Sequence, residues 1–432
     1  MPLPGRMITN VARGRVMPAA IAMACALTTS APSAFTRWPD EGAIDADIHI
    51  DTRAESLVVM MRYDYVARGD GEREITLYLN KTYNVRRVSC PRCASFTFDA
   101  AAQPVASLLI RLREPLDKGA RETFVIQYDG SLRDAYKKDE EFLELGLDDF
   151  WFPINPMFNS VLFRYRATVS VDDPAFQLIA NGRVAGGNGH WLVESRDADF
   201  DIDIVLGRGL NVAVNDRDGY EVRVVSRNLP DSVPAILLED ITRDLEFYNS
   251  TFGASSPQRR VTAVIRPYAP IEGKGGYFRA GYFIIDHTME PSRYFLTVAH
   301  ELAHRWWIKA DQQNAWLNES FAEYSAMLAL RRVRGKAAFD TLLMEKRRNS
   351  ANLPPIYGFD RTTNRAQAPR VMYVKGPVKL AELERMLGEP RFMDLLSRAV
   401  SENIVTTDEL VNLVSRVASP QVAAEFLTQL KQ

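Results

Sequence analysis

Along the chain the spacing of apolar residues changes once, and that change divides the molecule. From about Asp45 to Leu206 the period is two: Ile75, Leu77 and Leu79 alternate with polar neighbours, as do Leu108, Ile110 and Leu112. Phe163, Tyr165, Ala167, Val169 and Val171 repeat the pattern, and Phe200, Ile202, Ile204 and Leu206 do so with Asp201 and Asp203 between them. Turn-rich stretches such as Gly69-Asp70-Gly71 and Gly186-Gly187-Asn188-Gly189 separate the runs. This alternation predicts antiparallel sheet with one buried and one wet face. After about Asn215 the period lengthens. Leu237, Ile241, Leu245 and Tyr248 recur at helical spacing behind Asp231, Ser232 and Pro234. Short strand patterns follow at Val261–Ile265 and Tyr282–Ile285, and from Pro291 onward helix is predicted nearly throughout. The predicted fold class is α+β multidomain: an N-terminal antiparallel β-sandwich or saddle domain over 36–212, then a mainly helical domain over 213–432.

Residues 1–35 have a different texture. Arg6, Arg13 and Arg15 precede an apolar stretch from Val16 to Leu27, and small residues follow at Ser30, Ala31, Ser33 and Ala34. That order predicts a cleaved secretory signal peptide over 1–35. The apolar run is shorter than the about 20 residues a spanning helix needs, which argues against a membrane tether. The expected location is therefore secreted or periplasmic, with no membrane span after signal removal.

The chain has 432 residues and carries 53 Lys+Arg against 55 Asp+Glu, a formal charge of −2. Such a balance argues against a nucleic-acid binder, which needs a concentrated basic surface. Three cysteines are too few for a disulfide framework. Beyond the signal only Cys90 and Cys93 remain, in Cys-Pro-Arg-Cys, with no second pair to complete a zinc site. For an exported protein this predicts a local disulfide at a hairpin tip.

The chemistry gathers at His300-Glu301-Leu302-Ala303-His304. Residues four apart share a helix face, so both histidines can reach one metal while Glu301 addresses a water beside it. The alternative is a pair of satisfied histidines in an aromatic core. A catalytic zinc takes three protein ligands and leaves a fourth position free. Downstream, Glu319 and Glu323 are also four apart, among Trp316, Leu317, Phe321 and Tyr324. Either could ligate, the other then bonding a ligand histidine. Their apolar neighbours argue against two solvated glutamates, because an unpaired buried carboxylate is costly.

Three segments together resemble the alanyl aminopeptidase family of gluzincin, thermolysin-like zinc metallopeptidases. They are His300 to Trp307, Trp316 to Tyr324, and Tyr373-Val374-Lys375-Gly376. The resemblance implies one Zn2+ per chain, a thermolysin-like catalytic domain, and a peptide or protein as substrate. It implies His300 and His304 as ligands, Glu301 as general base and Tyr373 as the hydroxyl that steadies the oxyanion. For the third ligand, the family's usual spacing selects Glu323, whereas its Trp-Leu-Asn-Glu motif selects Glu319, with fourteen residues after His304. The motif decides for Glu319, because a loop can shorten while a ligand's helix must keep its packing; Glu323 then supports a histidine.

One family feature is missing. The Gly-x-Met-Glu-Asn strand, whose glutamate grips the substrate's free amine, is replaced here by Gly275-Gly276-Tyr277-Phe278-Arg279. Gly275 and Gly276 still allow a substrate to pair with an edge strand. Arg279 is expected to repel an ammonium, and Glu272 or Glu144 is the candidate replacement. Aminopeptidase-like action is the leading expectation. Endopeptidase action, hydrolysis of a non-peptide substrate on the same zinc, and a silent zinc-stabilised scaffold are the alternatives. The length leaves no residues for the larger C-terminal helical domain of many family members, so an open cleft is expected. Oligomeric state is not legible.

Overall fold

The computed structural model describes residues 42–103, 105–133, 141–157, 161–267, 276–287, 291–310 and 313–432. The predicted signal segment therefore lies outside the described residues.

In the N-terminal part the alternating runs become strands whose inward residues share one core. A seven-stranded sheet is centred on Gly42–Asp51, flanked by Ser56–Val66 and Phe163–Val171. A three-stranded sheet built on Ser107–Leu116 packs over it, and Ile48, Met61, Ile75, Leu108 and Ile126 meet in the space between them. The large sheet is not purely antiparallel: Gly42–Asp51 runs parallel to Phe163–Val171. A third sheet, Phe176–Ala180, Ile204–Arg208 and Phe142–Leu145, joins the same core through Leu178, Ile204 and Leu145. Cys90 and Cys93 are joined by a disulfide. It does not close a hairpin tip, since the flanking strands Tyr83–Ser89 and Cys93–Asp99 belong to different sheets. The bond instead fixes the corner where the chain changes sheets.

The second sheet system runs in the order Asn211–Arg217, Tyr220–Ser226, Arg260–Arg266, Tyr282–Asp286, Gly276–Arg279, with Gly276–Arg279 at the edge. Its central pairings are parallel and its outer ones antiparallel. Helix α1 (Ser232–Thr251) covers one face, burying Leu237, Ile241, Leu245 and Tyr248 against Val222, Val224, Ala263 and Ile265. The opposite face meets the N-terminal part, where Val225, Val264 and Ile284 pack on Phe142 and Val205. A sheet buried on both faces needs apolar residues at successive positions, as Ala263-Val264-Ile265 supplies.

Two helices then frame the site. Helix α2 (Pro291–Ala303) lies against α1, and α3 (Trp316–Ser350) runs beneath it. In its first half α3 buries Ala326, Met327, Leu328 and Ala329 in succession, which turn through all sides, the mark of a helix inside a core. It bends at Gly335, where φ is 81°, a conformation open to glycine but strained for a side chain. Four further helices, Gly376–Leu387, Glu389–Ser401, Thr407–Val417 and Pro420–Leu430, pack into the same core. No helix among the described residues is long and apolar enough to cross a membrane.

Candidate metal centre

His300 and Glu301 occupy the last turn of α2, and His304 follows its end, held by a tightened backbone bond from its amide to the carbonyl of Glu301. The helix stops there because the chain must turn under the core. Trp306 and Trp307 plunge against Phe252, with ring centroids 5.5 and 5.4 Å from it. Asn318 of α3 then clamps the returning loop by both donating to and accepting from the backbone of Ala310. Tyr248 of α1 donates 2.9 Å to the carbonyl of Ala299, fixing α2 on its other side.

These supports bring three ligand-type atoms together. The Nε2 atoms of His300 and His304 are 3.2 Å apart, and Glu319 Oε2 of α3 lies 3.7 and 3.5 Å from them. A tetrahedral zinc with bonds of about 2.0–2.1 Å has donors about 3.3 Å apart, so the triangle fits that ion without rearrangement. Among the described residues this is the one cluster of three such side chains able to hold a metal. Glu323, one turn along α3, instead accepts at 3.0 Å from His300 Nδ1 and at 2.6 Å from Lys346 Nζ. His304 Nδ1 bonds the carbonyl of Trp307 at 2.8 Å. Both imidazoles thus have their outer nitrogen occupied, which leaves Nε2 for the metal.

Electrostatics sharpen the picture. Burial alone would keep His300 neutral, but its hydrogen bonds to Glu319 and Glu323 prevail and raise it to about 10. Burial also opposes charge on Glu323, yet His300 and Lys346 hold its carboxyl down to about 2. Glu319 is likewise held well below the usual carboxylate range, by the two histidines against burial. Glu301 goes the other way: burial raises it, partly offset by His300 and His304.

Tyr373 donates 2.8 Å to Glu319 Oε2, and its ring lies 5.4 Å from that of His300. Burial, followed by Glu319, pushes its hydroxyl well above the ordinary range, with Arg361 acting in the opposite direction. The residues beside it explain the local sequence. Ser320 of α3 donates to the carbonyl of Met372, and a Cβ on Gly376 would fall on the Ser320 hydroxyl. Lys375 is buried and donates to the carbonyls of Leu353, Pro354 and Gln432. Tyr373 accordingly sits in a widened helical turn, Val371–Lys375, anchored on both sides.

Gly276 lies on the edge strand beside Glu301, while Gly275 and Glu272 fall outside the described residues. Two expectations about amine recognition are corrected here. Arg279 does not face the site: it is 7 % exposed and pairs with Asp201 at 2.6 Å, because its strand edge abuts the N-terminal sheets. Nor is Glu144 free for an ammonium, since both its oxygens pair with Arg266, at 2.7 and 2.8 Å. The network these residues build, with Tyr277 donating to Glu144, was invisible in the sequence because its partners are 78 to 133 residues apart.

Comparison with known proteins fits this geometry. Residues 237–429 match the model of the Peptidase family M1 domain. This stretch is similar to M1 peptidase domains. The chain superposes on a two-domain M1 zinc metallopeptidase bound to L-arginine, with a TM-score of 0.72, 16% identity, and coverage of 91% of this chain and 94% of that one. An M1 zinc metallopeptidase from Deinococcus radiodurans gives a TM-score of 0.68 at 17% identity over the same shares. Native yeast LTA4 hydrolase gives 0.72 at 14% identity, covering 89% of this chain and 65% of that one. A curated relative, Aminopeptidase N of Haemonchus contortus, is 21% identical over 290 residues, 60% of this chain. The chain spans 30% of that relative's length. Zinc is the ion with which the M1 neighbours are named, and it suits the two-imidazole, one-carboxylate set described above.

Proposed function

We propose that the protein is an exported zinc-dependent peptidase with aminopeptidase-like action, in which His300, His304 and Glu319 hold the metal. The observation that carries this reading is the convergence of His300, Glu319, Glu301 and Tyr373 on one cavity of about 870 Å³, with His304 Nε2 3.2 Å from that of His300. Bound zinc supplies Lewis acidity, polarising a substrate carbonyl and acidifying a water. Glu301, a buried carboxylate with a raised proton affinity, takes the proton and returns it to the leaving amine. Tyr373 donates its hydroxyl to the oxygen on which negative charge develops. Glu323 and the Trp307 carbonyl keep the two imidazoles oriented, and Lys346 keeps Glu323 in place.

Aminopeptidase-like action is supported by the named relatives. A second reading, internal cleavage, is favoured by the edge strand, whose described residues Gly276-Tyr277-Phe278-Arg279 carry no carboxylate for an amine. A peptide and its N-acetylated twin, followed by mass spectrometry, separate the two: preference for the free amine supports the first, equal cleavage the second. Failure to cut any peptide in a broad pool overturns the proposal. Glu301→Gln is expected to lower kcat by about 10²–10⁴-fold with zinc content unchanged, as general-base loss requires; a scaffold would behave as before. Export is supported by the N-terminal pattern and by the Cys90–Cys93 disulfide, a bond that persists in oxidising compartments.

A further inference from the structure

The described wall of the active-site cavity carries two cations without partners. Arg361 and Arg365 line it together with Gly276, His300, Glu301, Glu319, Glu323 and Tyr373. Neither guanidinium makes a hydrogen bond or ion pair with any described residue. Three more deeply placed arginines of the domain are tied down: Arg266 to Glu144, Arg279 to Asp201, Arg331 to Glu384. Meanwhile two of the three carboxylates lining the cavity are engaged. Glu319 and Glu323 are committed to the histidines. The described wall thus carries unpaired positive charge at Arg361 and Arg365, while its unpaired carboxylate, Glu301, is buried beside the histidines.

The segment bearing the two cations is shaped in advance. The carboxylate of Asp360 accepts from the amide and hydroxyl of Thr362, and its carbonyl accepts from the Asn364 amide. Arg361 is half-buried and Arg365 exposed, one deeper in the cleft and one nearer its rim. A guanidinium is a planar fork matched to a carboxylate, and a partly enclosed cleft lined by one sign of charge focuses its field on the opposite sign. At about 870 Å³ the cavity is at the upper end of ordinary ligand pockets, room for a short peptide rather than a single residue.

We infer that Arg361 and Arg365 anchor a carboxylate of the peptide substrate, an inference that rests on the peptidase reading above. The carboxylate is either the C-terminus of a short peptide or an acidic side chain. The test uses the full, zinc-loaded protein and three substrates: trialanine, its C-terminal amide, and that amide with glutamate at the third position. At low ionic strength the free acid is expected to exceed the plain amide at least tenfold in kcat/KM, mainly through KM, with the gap shrinking in salt. In the Arg361→Ala, Arg365→Ala double variant the acid-to-amide ratio is expected to fall to about one, and the double lysine variant to keep part of it. Rescue of the amide by glutamate assigns an acidic side chain; preference for the free acid alone assigns the C-terminus. Equal cleavage of all three by the native protein, or a ratio that survives in the double alanine variant, overturns the inference while leaving the peptidase intact. If none is cut while a broad peptide pool is, the anchor falls alone; if the pool is uncut as well, the peptidase reading falls with it.

Discussion

A Cβ on Gly276 would stand 2.7 Å from Glu301 Oε1 and 2.8 Å from the carbonyl of Ile284. The strand has no slack on the Ile284 side, because Gly276 is paired with Ile285 in the sheet. Gly276→Ala is therefore expected to displace the Glu301 carboxylate rather than the backbone. A shift of about 1 Å in a reacting group can cost about 10²-fold, so kcat should fall by that order while zinc content stays unchanged. Activity at the native level would show that Glu301 does not work from this position. The sequence offered the glycine as a place for substrate to approach; its contact with the base needed coordinates. Gly376 is a parallel case. Tyr-x-Lys-Gly was a weak signal alone, and its meaning comes from the close passage of Gly376 over Ser320 on α3.

At the level of elements, periodicity located what faces a single core and missed what faces two. Helices α1 and α3 and the alternating strands carry their burial pattern in short windows. The hairpin Asn211–Arg217 with Tyr220–Ser226 escaped, because Val212 and Val214 on its outer strand are exposed and contradict the rule being used. The ionic seam between the N-terminal sheets and the catalytic sheet was equally hidden. There Asp203 is fully buried beside the hydroxyls of Tyr277 and Tyr282. Burial raises its pKa well above the usual value, Asp201 and Glu144 push it further, and Arg279 and Tyr277 oppose. The sign follows by linkage. With the folded pKa above the unfolded one, the native state holds more protons between the two values, so stability falls as pH rises through that window. The cost of the buried charge is complete only above the folded pKa. Asp203→Asn removes that charge with little change of shape. It is expected to raise Tm at pH 8 and to leave it nearly unchanged at pH 3.5, which thermal melts at the two pH values check.

For the whole molecule the question is how far the fold depends on the metal. The three ligand-type residues come from α2, the turn after it, and α3, each fixed by contacts that involve no ion: Tyr248 on Ala299, Asn318 on Ala310, Trp307 on Phe252. Without a metal, the raised proton affinity of His300 lets a proton balance Glu319 and Glu323. Removing zinc is therefore expected to abolish peptidase activity without unfolding the chain, unlike small zinc domains that have no other core. The stabilisation lost is set by mass action, about 2.7 kcal/mol at a free zinc concentration one hundred times Kd. At the about 2–4 °C that 1 kcal/mol shifts domains of 150–250 residues, that is a Tm decrease of about 5–11 °C. Dialysis against a chelator, with far-UV circular dichroism, melting and re-addition of zinc, reads all three quantities. Loss of the far-UV signal on chelation would make the metal part of the fold, and retained cleavage in metal-free protein would separate the reaction from zinc.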